Sequence, residues 1–246
     1  MTLLAPGRRL TGALLIISAV VVTAMFAGLG SVFNYPEVLG EPGVEVLAQF
    51  SARAGLVGAM FALLALGAAT LAPIALGTAR LVGPSRWSTA SMVAGVAAAL
   101  VQLVGLARWP LLAPTLAATV VDPATSAMDR AAAVEQFGWL NTVLGQGLGE
   151  VGGYLLTAAW TVLVLGALRR RFTLPGMFAA VGLVSAVAIL AGLLVPFGVP
   201  GADLVNFVGY LLWSAWIVWF GVLLLRGSFR APAAPAPATP TQPLPA

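Results

Sequence analysis

The stretch Gly153 to Phe172, GYLLTAAWTVLVLGALRRRF, decides the fold. Residues 153–168 carry no charge, and Arg169, Arg170 and Arg171 end the run abruptly. A helix needs about 20 apolar residues to cross a ~30 Å hydrocarbon core. An arginine cluster directly beyond such a run marks the end that stays in the cytoplasm. The stretch therefore reads as the inner part of a membrane-crossing helix.

Working outward, five more apolar runs have the same character. The spans are expected at Leu10 to Phe33, Ala54 to Leu76, Ser88 to Leu106, a fourth ending at Leu168, Leu174 to Pro196, and Leu204 to Leu225. The charges sort between their connections. Arg8, Arg9, Arg80, Arg86, Arg169, Arg170, Arg171, Arg226 and Arg230 fall at one set of ends. All eight acidic residues, Glu37, Glu41, Glu45, Asp122, Asp129, Glu135, Glu150 and Asp203, fall at or toward the other, joined only by Arg53, Arg108 and Arg130. That asymmetry gives the orientation. The expectation is an all-α polytopic membrane helix bundle of six transmembrane helices, N and C termini cytoplasmic. Residues 1–9 form the cytoplasmic N-terminus, 10–230 the membrane domain, and 231–246 a disordered Ala/Pro-rich cytoplasmic tail. A signal peptide is the rival reading of the first run, which is long for one.

Composition agrees. The chain of 246 residues is 60% hydrophobic and only 8% charged, against about 25% charged in soluble domains. Its basic balance belongs to juxtamembrane clusters facing anionic lipid, so nucleic acid is not an expected partner. Cys, His and Lys are all missing. Their absence removes thiol chemistry, histidine bases, bis-histidine haem and Schiff bases. No phosphate loop, metal motif or nucleophile–base pair is present. No catalytic residue, metal site or cofactor is therefore assigned, and the chain leans away from being an enzyme.

The connections carry their own signals. In Gly43 to Ala54, Val46, Leu47, Phe50 and Ala54 share one helical face and Glu45, Gln49 and Arg53 another, which predicts a short interfacial helix on the outer side. The third span is expected to stop at Arg108-Trp109-Pro110, with Trp109 in the aromatic belt. Leu111 to Val121, too short to cross, reads as a re-entrant or surface segment. Asp122-Pro123 opens a further helix that runs into the fourth span. Trp213, Trp216 and Trp219 share a face and read as packing.

Polar residues gather toward the outer half. Gly145, Gly149 and Gly153 recur every four residues, a spacing that lets a neighbouring helix come close. Beside them run Thr142, Gln146 and Glu150, then Thr157 and Thr161. A carboxylate at membrane depth is a functional-site hypothesis by default. Glu150 pairs with Arg108 in one reading, is simply solvated in another, and holds a ligand or proton in a third. Gln102, Gln146, Glu150, Asn206 and Tyr210 are the candidate lining of an outward-facing pocket, since buried polar groups need partners.

Four stretches together, VFNYPEVL from Val32, EVLAQF from Glu45, VQLVGLARWP from Val101 and GEVGGYLLTAAWT from Gly149, resemble the bacterial multi-pass membrane family catalogued as domain of unknown function 4386. The likeness spans residues 10–226. It implies a helical protein of the bacterial cytoplasmic (inner) membrane without an assigned activity. Gln102, Arg108 and Glu150 match its pattern. The resemblance implies relatives that often carry histidine where this chain has Asn141 and Val151, so any metal or haem role suspected for such relatives is not carried over. The leading expectation is a small or lipidic ligand in the outer pocket. A structural or partner-binding scaffold and a proton-coupled transporter using Glu150 are the alternatives. Membrane lipids are partners, and a homo-oligomer or a membrane partner stays open.

The orientation is directly testable because the chain has no native cysteine. A single cysteine at position 82 should label only from the cytoplasmic side, and one at position 41 only from outside. Labelling of position 82 from outside reverses the topology.

Overall fold

The computed structural model describes residues 5–229, so the expectations for residues 1–4 and for the tail 231–246 fall outside the described residues. Helices make up the fold, and no strand occurs among those residues. In order they are α1 (Ala5–Phe33), α2 (Gly43–Ala52), α3 (Ala54–Ala69), α4 (Leu71–Val82), α5 (Arg86–Leu111), α6 (Ala113–Val121), α7 (Ala127–Leu140), a π-helical segment (Asn141–Gly152), α8 (Gly153–Arg171), α9 (Gly176–Leu190) and α10 (Ala202–Arg226). Short 3-10 turns at Glu37–Gly40 and Ala191–Phe197 follow α1 and α9. Six continuous helical stretches are long and apolar enough to cross a membrane: Gly7–Phe33, Ala54–Val82, Arg86–Val121, Ala127–Arg171, Gly176–Phe197 and Ala202–Arg226.

The spans form a ring in chain order. Each packs on the next, and α10 closes the ring against α1. Lipid tails are as apolar as the helices, so association relies on close packing, and small residues at the seams permit it. A Cβ on Gly12 would lie 3.0 Å from the Gly221 carbonyl, where α1 crosses α10. One on Gly209 would lie 2.7 Å from the Ile189 backbone, where α10 meets α9. One on Gly105 would lie 2.8 Å from Gly149 Cα, where α5 meets the π segment.

Two apolar cores fill the ring at different depths. The one toward the arginine end includes Leu15, Ile74, Ala98, Trp160, Phe178, Trp216 and Phe220. Trp216 donates from Nε1 to the Phe178 carbonyl at 2.9 Å, and Trp213 donates to Thr161 Oγ1 at 2.8 Å. The core toward the acidic end includes Leu29, Phe33, Phe50, Phe61, Trp109 and Phe137. Here α2, α6 and α7 pack together as a layer. Val46, Leu47 and Phe50 of α2 are buried, the face its spacing indicates.

The end of the third span departs from expectation. The helix continues through Pro110 to Leu111 and turns only at Leu112. Proline inside a membrane helix forfeits one backbone bond, which neighbouring packing makes tolerable. The continued helix turns Trp109 inward. It is fully buried and stacks on Phe61 with ring centroids 4.7 Å apart, so it is a core residue and not part of an aromatic belt.

Gly105→Ala drives a methyl into backbone atoms that cannot swing aside. Overpacking of this kind costs about 1–3 kcal/mol, so the thermal unfolding midpoint, followed by tryptophan fluorescence, should fall. Gly55→Ala meets nothing within 4 Å and should leave the midpoint unchanged or raise it.

Candidate functional site

The candidate site starts from the run NTVLGQGLGEVG. Gly145, Gly147, Gly149 and Gly152 fall within its 12 residues, and the segment is π-helical. Each glycine costs an α-helix up to about 1 kcal/mol relative to alanine, and the wider i→i+5 turn recurs at functional sites. The glycines of the stripe all meet α5. A Cβ on Gly145 would lie 2.7 Å from Arg108 Nη2, one on Gly149 would touch Gly105, and one on Gly153 would lie 3.3 Å from Gln102 Cγ. The guanidinium of Arg108 thus occupies space that a larger residue at 145 would fill.

Arg108 is only 6% exposed. Its Nη2 donates to Asn141 Oδ1 at 2.9 Å, and its Nη1 donates to the Gly105 carbonyl. The guanidinium carbon stands 5.5 Å from the Trp109 ring centroid, within cation–π range. Tyr35, in the loop after α1, lies beside it. Burial raises the Tyr35 phenol above its ordinary pKa, while the Arg108 charge acts in the opposite sense. These contacts correct the expected ion pair. Arg108 and Glu150 form no salt bridge, and the hydrogen bonds of the guanidinium go to an amide and a carbonyl instead. The physical reason is local: Asn141 sits where the π segment begins, and Gly145 leaves the path to it open.

Glu150 is half-buried and has no hydrogen-bond or ion-pair partner among the described residues, with Arg108, Tyr154 and Tyr210 near it. Next to it a set of polar side chains interlocks. Gln102 Nε2 donates to Thr157 Oγ1 and to the Ala98 carbonyl, both at 3.3 Å. The Tyr210 hydroxyl lies beside Thr157, and the rings of Tyr210 and Tyr154 are 5.9 Å apart. Asn206 Nδ2 donates to the Ile189 carbonyl. Both Tyr154 and Asn206 lie against Gly192, where an added Cβ would fall 2.4 Å from one and 2.5 Å from the other.

Four of the five residues named from the sequence therefore share one layer: Gln102, Glu150, Asn206 and Tyr210. Gln146 does not; it is exposed. Its assignment assumed α-helical spacing, under which residues 142, 146 and 150 stack. Thr142 and Gln146 are both exposed while Glu150 is half-buried, so the expected stripe does not face inward as a unit. Tyr35, Asn141 and Tyr154 belong to the layer without having been singled out. Tyr154 was within reach, four residues beyond Glu150 at the start of α8. Tyr35 and Asn141 join only because α5 carries Arg108 between them.

Chemically the layer offers one unpaired carboxylate, one guanidinium already hydrogen-bonded, phenols and amides. It can hold a ligand through hydrogen bonds and charge, and it can hold a proton. No group of three or more His, Cys, Asp or Glu side chains placed to bind a metal ion occurs among the described residues.

A family model described as "Domain of unknown function (DUF4386)" matches residues 10–227. No curated protein matches the chain, and no solved structure does.

The revised partnership of Arg108 makes a specific prediction. Hydrogen bonds to charged groups contribute about 1.5–3 kcal/mol, so Arg108→Gln and Asn141→Ala should each destabilise the protein. Their double mutant should be less harmful than the sum. Arg108→Gln combined with Glu150→Gln should be closer to additive in reversible unfolding in mixed micelles.

Proposed function

The chain belongs to the family described as a domain of unknown function (DUF4386), and we propose that within this fold it binds a small or lipidic ligand at the polar layer around Glu150, entered from the acidic side of the membrane. The observation that carries the reading is the Glu150 carboxylate: half-buried among apolar helices and without a partner. A charge removed from water without a partner is costly, and a group that supplies a hydrogen-bond donor removes that cost. The complement is a ligand with a donor headgroup, a hydroxyl or an amine, and an apolar body that lies against Tyr154 and Tyr210.

Binding is favoured over transport by what lies next along the ring. Trp160, Trp216 and Phe220 are fully buried toward the arginine end. The polar side chains buried there, Thr161, Ser185, Ser91 and Thr78, are hydroxyls that donate to carbonyls of their own helices, so among the described residues no charged or amide side chain continues the layer down the axis from Tyr210. It is favoured over a purely structural role because helix-joining polar residues end up paired, as Gln102 and Thr157 are, and Glu150 does not.

Two readouts test this. Glu150→Gln should raise the unfolding midpoint of the ligand-free protein by relieving an unpaired charge, whereas a carboxylate already paired would make the same change destabilising. In a thermal-shift screen of amines, alcohols and lipids, ligands that stabilise the native protein should lose that effect in Glu150→Gln. Equal responses in both proteins would overturn the assignment of Glu150 to the site.

A further inference from the structure

The opposite end of the molecule carries a second feature that the polar layer does not use. Between the α4–α5 loop and the end of α8 lies a groove of about 400 Å³ lined by Val82, Gly83, Pro84, Ser85, Arg170 and Arg171. Its shape depends on Gly83, whose φ of 88° is a backbone conformation that residues with a Cβ rarely adopt. One wall is held by a short chain of contacts. Trp87 is seated against Gly166, where a Cβ would lie 2.7 Å from the indole. The Arg170 guanidinium then rests 5.4 Å from the Trp87 ring centroid. This cation–π contact holds Arg170 at the edge of the groove.

Neither arginine has a carboxylate partner among the described residues. All the acidic residues lie at or toward the other ends of the spans, and the arginines at this end stand among themselves. Cations gathered this closely repel one another until an anion enters. The groove sits where the apolar run of α8 gives way to Arg169, Arg170 and Arg171, the depth at which headgroups lie. Val82 and Pro84 add an apolar flank beside the charges.

We propose that this groove is a binding site for the phosphate of an anionic phospholipid headgroup. Arg170, pre-positioned on Trp87, and Arg171 supply charge-assisted hydrogen bonds to the phosphate oxygens. The apolar flank takes the first part of the glycerol and acyl chain. A lipid is favoured over free phosphate because the surrounding leaflet supplies headgroups at high local concentration on this side of the groove.

The experiment is native mass spectrometry of the full-length protein in detergent, titrated separately with phosphatidylglycerol, phosphatidylcholine and inorganic phosphate. Phosphatidylglycerol should be retained selectively. A hydrogen bond to a charged group contributes about 1.5 kcal/mol or more, so Arg170→Gln/Arg171→Gln should weaken that retention about a hundredfold. Arg171→Gln alone, which leaves the Trp87 contact in place, should weaken it about tenfold. Arg169→Gln/Arg226→Gln removes the same charge outside the groove and should have a much smaller effect. An equal loss in that control would replace the site with a diffuse field and overturn the proposal. Retention unchanged in Arg170→Gln/Arg171→Gln would overturn it as well, and so would inorganic phosphate binding as tightly as the lipid.

Discussion

A guanidinium lodged in a helix seam organises the outer half of this protein. Arg108 reaches from α5 into the π segment, and its charge is out of contact with water. An isolated buried charge would be untenable in such a place. Here Asn141, the Gly105 carbonyl, the Trp109 ring and the Tyr35 loop surround it. Each contact has a structural price, paid in glycine: Gly145 leaves room for the side chain, and Gly105 and Gly149 let the backbones meet. The widened turn lies in the same seam, where four glycines within 12 residues weaken the preference for an α-helix.

That arrangement has a consequence for the carboxylate. With Arg108 engaged by Asn141, Glu150 loses the one cation at its depth and stands beside Tyr154 and Tyr210 instead. A structural lock and a free acid therefore occur within one layer. The lock keeps the layer in register, and the acid gives it chemistry. Below it the closely packed tryptophans and phenylalanines around Phe178 and Trp216 form an apolar floor. The result is a polar layer over an apolar core, a geometry suited to holding a molecule in place.

The two ends of the ring handle charge in opposite ways. At the acidic end, side chains meet within the protein: Arg53 donates to the Val32 carbonyl and Arg130 to the Asp122 carbonyl. At the arginine end no carboxylate meets the charges among the described residues, and Arg169, Arg170 and Arg171 are exposed. Membrane proteins orient by such asymmetry, and here it also shapes a groove, because Trp87 fixes one of the arginines in place.

Much of this was legible in the chain itself. Apolar runs of membrane length separated by segregated charges dictate six spans, since a helix in hydrocarbon must satisfy its own backbone and has no other way to cross. The glycine spacing at 145, 149 and 153 marks a close seam, because only small residues let helices meet without a hydrophobic drive. Gln102, Glu150, Asn206 and Tyr210 stand out as polar residues at similar depth. Local pattern could not say which partner each would find. Whether Arg108 turns to Glu150 or to Asn141, whether Trp109 faces headgroups or a core, and whether Gln146 shares a face with Glu150 all depend on helix pitch and on the rotation of one span against another. Those are properties of the assembled ring: the π segment at Asn141–Gly152 packs along α5, and its wider turn shifts the side-chain directions that follow.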